Sequence, residues 1–231
     1  MLKLYKKAVD ARIAKGEGKD EAIIKELQVA IKASKKIRFE GNGYGDEWAT
    51  EAEKRGLSNV KTTPLALDAY VSKESKALYT GMNIYTIPEL EARHEIMLED
   101  YTMKIQIEGR VMGDLAMNHI IPTAFNYQNK LITNVKGLKD IGVDKEVYSE
   151  TLSMITEISE HIKGIKVGVD NMTAARKKAN TIEDARDTAI AYCDNVVSHF
   201  DEIRYHADKL ELMIDDEDWP LAKYREMLFL R

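Results

Sequence analysis

Two residue patterns in this chain could do chemistry. The first is KKIRFEGNGYGDEW, residues 35–48, with glycines at alternate positions, Gly41, Gly43 and Gly45. Glycine-rich loops that open a helix can cradle phosphate, because backbone N–H groups and the helix dipole point at the anion. The spacing here does not fit. A P-loop needs Gly, four residues, then Gly-Lys and Ser or Thr, and no such lysine follows. A dinucleotide fingerprint runs G-x-G-x-x-G after a strand, whereas this run is G-x-G-x-G after a helix-like stretch. Asp46 and Glu47 put negative charge where an anion would sit. The simpler reading is a sharp turn in which glycine supplies positive φ. Asp46 then caps a short helix that carries Trp48.

The second pattern is EARH, which puts Glu91 and His94 three apart on one helical face, as in di-iron bundles. That architecture needs a second Glu-x-x-His and two further glutamates. Glu157 and His161 are four apart, as are Glu202 and His206, so neither repeats the motif. Glu91 and His94 therefore read as structural. His119, just before Pro122, is expected to hydrogen-bond between helices. No Ser/His/Asp order or nucleophile elbow occurs. Cys193 is the one cysteine, which excludes an internal disulfide and a cysteine zinc cage. It lies beside Tyr192 on the apolar side of its helix and reads as packing. The acidic run DDED, residues 215–218, lacks the spacing and glycine of a calcium loop and reads as a solvated helix end. No catalytic, cofactor-binding or metal-ligating residue is assigned on these grounds.

The elements that must position these residues are helical. Prolines are few (Pro64, Pro88, Pro122 and Pro220), and no stretch alternates with period two. The predicted fold class is all-α: a helical bundle with a long antiparallel coiled-coil-like helix pair in the second half. In the first helix of that pair, Tyr148, Thr151, Ile155, Ile158, Ile162, Ile165, Val169 and Met172 follow steps of three and four. In the second, so do Ile182, Ala185, Ala189, Tyr192, Val196, Phe200, Ile203, Ala207 and Leu210. The pattern predicts Ile158 and Ile162 near Val196, Phe200 or Ile203. Asp144 is expected to cap the first helix, and Thr181 with Asp184 the second. The short link AARKKANT allows only antiparallel neighbours. Earlier, Thr86 and Glu89 form a capping box with Pro88 in the first turn, and Pro122 is expected to kink or break that helix. Residues 18–37 and 46–55 read as further helices. Residues 56–85 read as a loop and a short helix.

Composition bounds the function. The chain has 231 residues, 44% hydrophobic and 32% charged, enough for a buried core. A formal net charge of −5 argues against nucleic acid as a partner. No apolar run approaches the roughly 18 residues of a membrane span. The N-terminus has neither the apolar core nor the cleavage site of a signal peptide, which predicts a cytoplasmic protein.

Three segments, in order, carry a resemblance. RFEGNGYGDEW with EAEKRGLSNVKTTPLAL resembles the segment after the catalytic barrel in type III glutamine synthetases. The likeness continues through ELEARHEIMLEDYTMKIQIEGRVMGDLAMNHIIPTAFNYQNKL and resumes at ANTIEDARDTAIAYCDNVVSHFDEIRYHADKLELMIDDEDWPLAKYREMLF. It implies that residues 1–45 are a helix and glycine-rich junction from a catalytic barrel, and that 46–231 form a C-terminal helical domain. Members of that family join glutamate and ammonia with ATP and divalent metal such as Mg, through groups carried on the barrel. This chain has no counterpart of the family's arginine-bearing NR motif or its glutamate-rich metal strands. The resemblance thus implies a non-catalytic domain serving assembly or regulation, with no cofactor of its own. Its partners would be the barrel and further copies of the chain through its helices. The alternatives are a stand-alone helical interaction module and a metal-binding bundle enzyme built on Glu91 and His94.

Overall fold

The computed structural model describes residues 2–229, so positions 1, 230 and 231 of the two expected domains lie outside the described residues. The described elements are helices and turns, with no strand among the described residues. The chain divides into two compact units, Met1–Lys61 and Thr62–Arg231.

The first unit holds α1 (Leu2–Ile13), α2 (Lys19–Ala33, continued by a 3-10 turn at Ser34–Ile37) and α3 (Asp46–Arg55). Helices α1 and α2 form a hairpin around buried Val9 and Ala22. The Tyr5 hydroxyl donates to the Ile23 carbonyl at 3.1 Å, and Arg12 pairs with Glu26. Sequence reading finds α2 and α3 but not α1, whose Leu2 and Leu4 are exposed and give no buried stripe. Helix α3 ends at Gly56, at φ +64°, and the Leu57 N–H reaches back to the Ala52 carbonyl at 2.8 Å. Such a left-handed cap favours glycine because a side chain there meets its own backbone.

The second unit is a three-helix bundle with a small helical cap. Its first rod is α6 (Ile87–Leu115) and α7 (Ile121–Asp140), joined without a break by a π turn at Ala116–Ile120. The predicted capping box is present: the Thr86 N–H donates to Glu89 Oε2 at 2.8 Å, and the Glu89 N–H to the Thr86 hydroxyl at 3.4 Å. Of the kink or break expected at Pro122, the break does not occur. Proline lacks the N–H for the carbonyl one turn back, and its ring would strike that carbonyl. The wider turn directly before it relieves both, which is how a π turn lets a helix run through.

Helix α8 (Ser149–Ala179) returns antiparallel, about 46 Å long at 1.5 Å per residue. The chain then reverses into α9 (Ala185–Ala191) and α10 (Phe200–Met213), joined by a second π turn at Tyr192–Val196 and a 3-10 turn at Val197–His199. The sequence stripe anticipates this irregularity. Its steps alternate except at Tyr192, Val196 and Phe200, two fours in succession, and the wide turn takes up the extra residue. Within this unit, α4 (Thr63–Leu67) and α5 (Lys73–Gly81) pack on α6, and the chain closes with α11 (Tyr224–Leu228).

Most of the predicted seam is buried: Ile158, Ile165, Tyr192, Val196, Ile203 and Leu210 are all at most 2% exposed. The seam is not a simple pair, because α6 and α7 complete it as a third helix. Buried Gln128 of α7 donates to the Ile155 carbonyl at 2.7 Å and to the Ser159 hydroxyl at 2.6 Å of α8. The register also differs from the sequence expectation. Gly168 lies against Ile203, and His161 and Gly164 against His206. Antiparallel continuation therefore carries Ile158 toward Leu210 rather than Val196, Phe200 or Ile203. Two capping expectations change as well. Asp144 makes no side-chain cap, and α8 starts only at Ser149. Asp184 itself is the cap of α9, accepting from the Asp187 N–H at 2.9 Å, while the Thr181 hydroxyl donates back to Lys178.

The glycines of this bundle differ in what they permit. A Cβ on Gly168 would sit 2.7 Å from Ile203 Cγ1, whereas one on Gly113 would meet Met172 and Val169 at an ordinary 3.6 Å. Gly168→Ala is therefore expected to destabilise by about 1–3 kcal/mol through overpacking. Gly113→Ala should be neutral or stabilising by up to about 1 kcal/mol, since alanine favours the helix. Urea unfolding followed by circular dichroism checks the pair.

Candidate functional site

The glycine loop is built differently from its sequence reading. None of Gly41, Gly43 and Gly45 has positive φ. The turn is made by Asn42, whose side-chain carbonyl accepts from the Tyr44 N–H at 3.0 Å and whose backbone carbonyl accepts from the Gly45 N–H at 3.1 Å. Short Asn side chains fold the backbone this way without left-handed geometry at glycine. Gly45, not Asp46, is the cap of α3, and Asp46 and Glu47 fill its first turn. Gly41 matters for space: a Cβ there would lie 2.6 Å from the Phe39 ring, which packs on Trp48 at a centroid distance of 4.9 Å. Asn59 and Lys61 join Gly43, Gly45 and Trp48 around an open cleft of about 400 Å³. Because Gly43 has nothing within 4 Å and no positive φ, Gly43→Ala should leave the unfolding midpoint unchanged. Gly41→Ala should lower it by displacing Phe39.

Glu91 and His94 do not converge on a common centre. Glu91 accepts from Lys76 at 2.7 Å, while His94 Nε2 lies 3.2 Å from Asp68 Oδ1. Asp68 is the hub of this region. Arg186 of α9 donates to both its oxygens, at 2.9 Å from Nε and 2.7 Å from Nη2. The short turn after α4 is thereby tied to α6 and α9 at once. The Arg186 hydrogen bonds hold the Asp68 carboxyl below its ordinary range, with His94 adding to the effect and partial burial opposing it.

A second polar centre lies inside the α8–α10 seam. The two spaced-by-four pairs meet there: His161 Nδ1 and His206 Nδ1 are 2.9 Å apart, and Glu157 lies 3.7 Å from His161 Nε2. His161 is 8% exposed. Burial pushes His206 below the ordinary histidine value, His161 adds to this and Glu202 opposes it. The sequence offers a signal for this meeting, since each histidine adjoins a seam residue, Ile162 or Ala207, on facing helices. A third network joins Gln106, buried Tyr192 and Asn180: Gln106 donates to the Tyr192 hydroxyl at 2.9 Å, and Tyr192 to Asn180.

The other residues that the sequence singles out lie apart. His119 is exposed on the π turn and makes no interhelix hydrogen bond. Cys193 is half-buried beside Tyr101, whose phenol is pushed up by burial and then by the thiol. The acidic run does end α10, but it is not merely solvated. Asp218 pairs with Lys130 and Asp216 with Lys223, over buried Trp219. Among the described residues no three His, Cys, Asp or Glu side chains are grouped to hold a metal ion. No helix of the described residues is long and apolar enough to cross a membrane.

The Asp68 cluster generates a pH-dependent expectation. A carboxylate with a depressed folded pKa contributes stability above its unfolded value, near 3.9, and loses it as pH falls through the folded value. Asp68→Asn should therefore lower the unfolding midpoint at pH 7. The gap to the wild-type chain should narrow and close as the pH drops below the aspartate range. Melting curves from pH 7 to pH 2.5 check it.

Comparison with known proteins places this geometry. Residues 22–139 match the family model described as the glutamine synthetase C-terminal domain. A glutamine synthetase of Bacteroides fragilis is 47% identical over 230 residues, covering 98% of this chain and 32% of that protein. One from Butyrivibrio fibrisolvens is 30% identical over 214 residues, covering 93% and 30%. A type-3 glutamine synthetase of Dictyostelium discoideum is 29% identical over 199 residues, covering 85% and 27%. The chain thus spans about a third of the length of the curated relatives it matches. With an all-helical bundle and a family match over more than half its length, the chain belongs to the glutamine synthetase C-terminal domain family.

Proposed function

We propose that this chain is the non-catalytic C-terminal helical region of a type III glutamine synthetase and serves assembly of that enzyme. In this reading residues 1–45 lead out of a catalytic barrel and 46–231 form the helical domain. ATP, divalent metal, glutamate and ammonia belong to the parent reaction on the barrel. Phosphoryl transfer is positioning and charge stabilisation by metals and cationic groups, and the residues that do this in the family have no counterpart here.

The observation that carries the assembly role is one face of α6. Met103, Ile107 and Val111 follow each other at intervals of four and are 52%, 53% and 51% exposed. They run into an apolar groove of about 520 Å³ floored by Met112, Phe200 and Ile203. A contiguous apolar stripe at helical spacing is a partner face rather than a solvated one. The partner that fits is a second copy. Antiparallel pairing of two α6 helices that sets Met103 against Ile107 would bring exposed Glu99 of each close to Arg110 of the other. The stand-alone interaction module would use the same face, whereas the metal-bundle alternative has its Glu91 and His94 engaged by Lys76 and Asp68.

Light scattering on the purified chain tests the assembly reading. The expected result is a mass above one chain, reduced to a monomer by Ile107→Asp with Val111→Asp while the helical circular dichroism is kept. A wild-type chain that stays monomeric at 100 μM (a concentration of about that order suits weak helix pairing) overturns it. Assayed alone, the chain should form no glutamine from glutamate, ammonia and ATP. Measurable turnover would overturn the non-catalytic reading.

A further inference from the structure

The histidine pair in the α8–α10 seam goes beyond assembly. Its two Nδ1 atoms, 2.9 Å apart, are in hydrogen-bonding contact, so one ring donates and the other accepts. An accepting imidazole nitrogen carries no proton, which fixes the accepting ring as neutral with its proton on Nε2. The site is built around this contact. Gly164 leaves the space that His206 fills: a Cβ at Gly164 would lie 2.3 Å from His206 Nε2 and 2.4 Å from its Cδ2. The His206 ring is thus pressed on the α8 backbone, with Tyr205 edge-on to both rings at 5.2 and 6.2 Å.

We propose that His161 and His206 form a proton-counting latch, which holds one proton across the α8–α10 seam and is forced open by a second. With His161 Nε2 facing Glu157 at 3.7 Å, the His161 Nδ1–H is the donor and His206 Nδ1 the acceptor. The second proton can only add at His206 Nδ1, the accepting atom. That step removes the acceptor and sets two N–H groups head to head inside the seam. Two facing N–H donors have no acceptor between them and cannot keep the hydrogen bond. The rings then have to part, and with them the half of the seam between Ile158 and Gly168.

The charged and titratable groups around the pair are few. Helix α8 contributes Glu157. Helix α10 contributes Glu202, whose charge favours protonation of His206, and Tyr205. Lys209 lies 5.5 Å from the Tyr205 ring centroid and adds positive charge near α10. Among the described residues no titratable group of α6 or α7 is a partner of either ring. Glu157 is more than half exposed, so its charge is largely screened by solvent. The balance therefore leaves the second proton opposed by burial and by His161. The sign follows from linkage. A histidine whose folded pKa lies below its unfolded value, about 6.5, gives its full stability above that value and loses it as pH falls through the folded pKa.

Nitrogen-15 NMR of the histidine rings in the intact wild-type chain, titrated from pH 8 to pH 4.5, reads the pair directly. The expected result is two separated steps, with one Nδ1 protonated and the other not at neutral pH. The second step should coincide with loss of α8–α10 amide protection. The unfolding midpoint should also fall with pH more steeply in the wild-type chain than in His206→Gln, by up to about 3–5 °C per pH unit. That limit is one proton's worth of linkage for a chain of this size. Glutamine keeps a donor and an acceptor without titrating. Two histidines titrating independently near 6.5, with the seam amides unchanged, would overturn the latch. If His206→Gln does not fold, the wild-type titration alone decides.

Discussion

The second unit depends on how closely α8 and α10 approach at Gly164 and Gly168. Helix axes normally stand 8–10 Å apart, with side chains from both filling the space between. Here one helix presents bare backbone at two positions four apart. Ile203 and the His206 ring enter the gap, to within 2.7 Å and 2.3 Å of where a Cβ would be. Facing side chains interdigitate at crystal-like density only when volumes are matched position by position. The glycines on α8 and the large residues on α10 are therefore one feature. They also set the register, because only one sliding position lets both large side chains find a glycine. That register carries Ile158 toward Leu210 and brings together two histidines that lie 45 residues apart in sequence.

The two π turns serve the same packing. The turn at Tyr192–Val196 absorbs an extra residue in the apolar stripe, so Tyr192 and Val196 both stay fully buried. Without it the stripe would rotate away from α8 halfway along the bundle. The buried Tyr192 hydroxyl is satisfied by Gln106 from α6 and Asn180 from the α8–α9 turn, as a buried polar group requires. The turn at Ala116–Ile120 does the corresponding work for α6 and α7. It lets Pro122 stand in a continuous rod, with Ala116, Ile120 and Ile121 directed into the core. Asp68 completes the frame, since its bidentate contact with Arg186 and its contact with His94 fix the cap segment against two rods with charged hydrogen bonds.

Polar groups are sparse inside this bundle, and several lock its helices together, while among the described residues the buried hydroxyls of Thr62 and Thr102 have no hydrogen-bond partner. Gln128 locks α7 to α8, Asp68 locks the cap, and the histidine pair links α8 and α10 beside Gly164. The apolar face of α6 is the opposite case, with Met103, Ile107 and Val111 each about half exposed. A helix that must stay soluble alone usually carries polar residues there.

The sequence by itself determined the helical class, the long second-half helices, the Thr86–Glu89 cap and the short helix over 46–55. Each rests on local physics, namely hydrophobic period, capping chemistry and chain length, which a linear string carries in full. The ordered segments also carried the family, which the comparisons bear out. Tertiary structure alone decided the rest. Helix α1 was invisible because its stability comes from packing on α2 rather than from a buried stripe of its own. The local effect of Pro122 is a kink or break, but a widened turn next to two neighbouring helices lets the rod continue. The glycine loop was read as positive φ, yet Asn42 makes the turn and Gly41 is needed for the Phe39 ring. His161 and His206 each carried a weak local pattern, and only the register set by two glycines turned them into a contacting pair. Register is a property of two surfaces meeting, so it depends on side chains far apart in sequence, which no local period encodes.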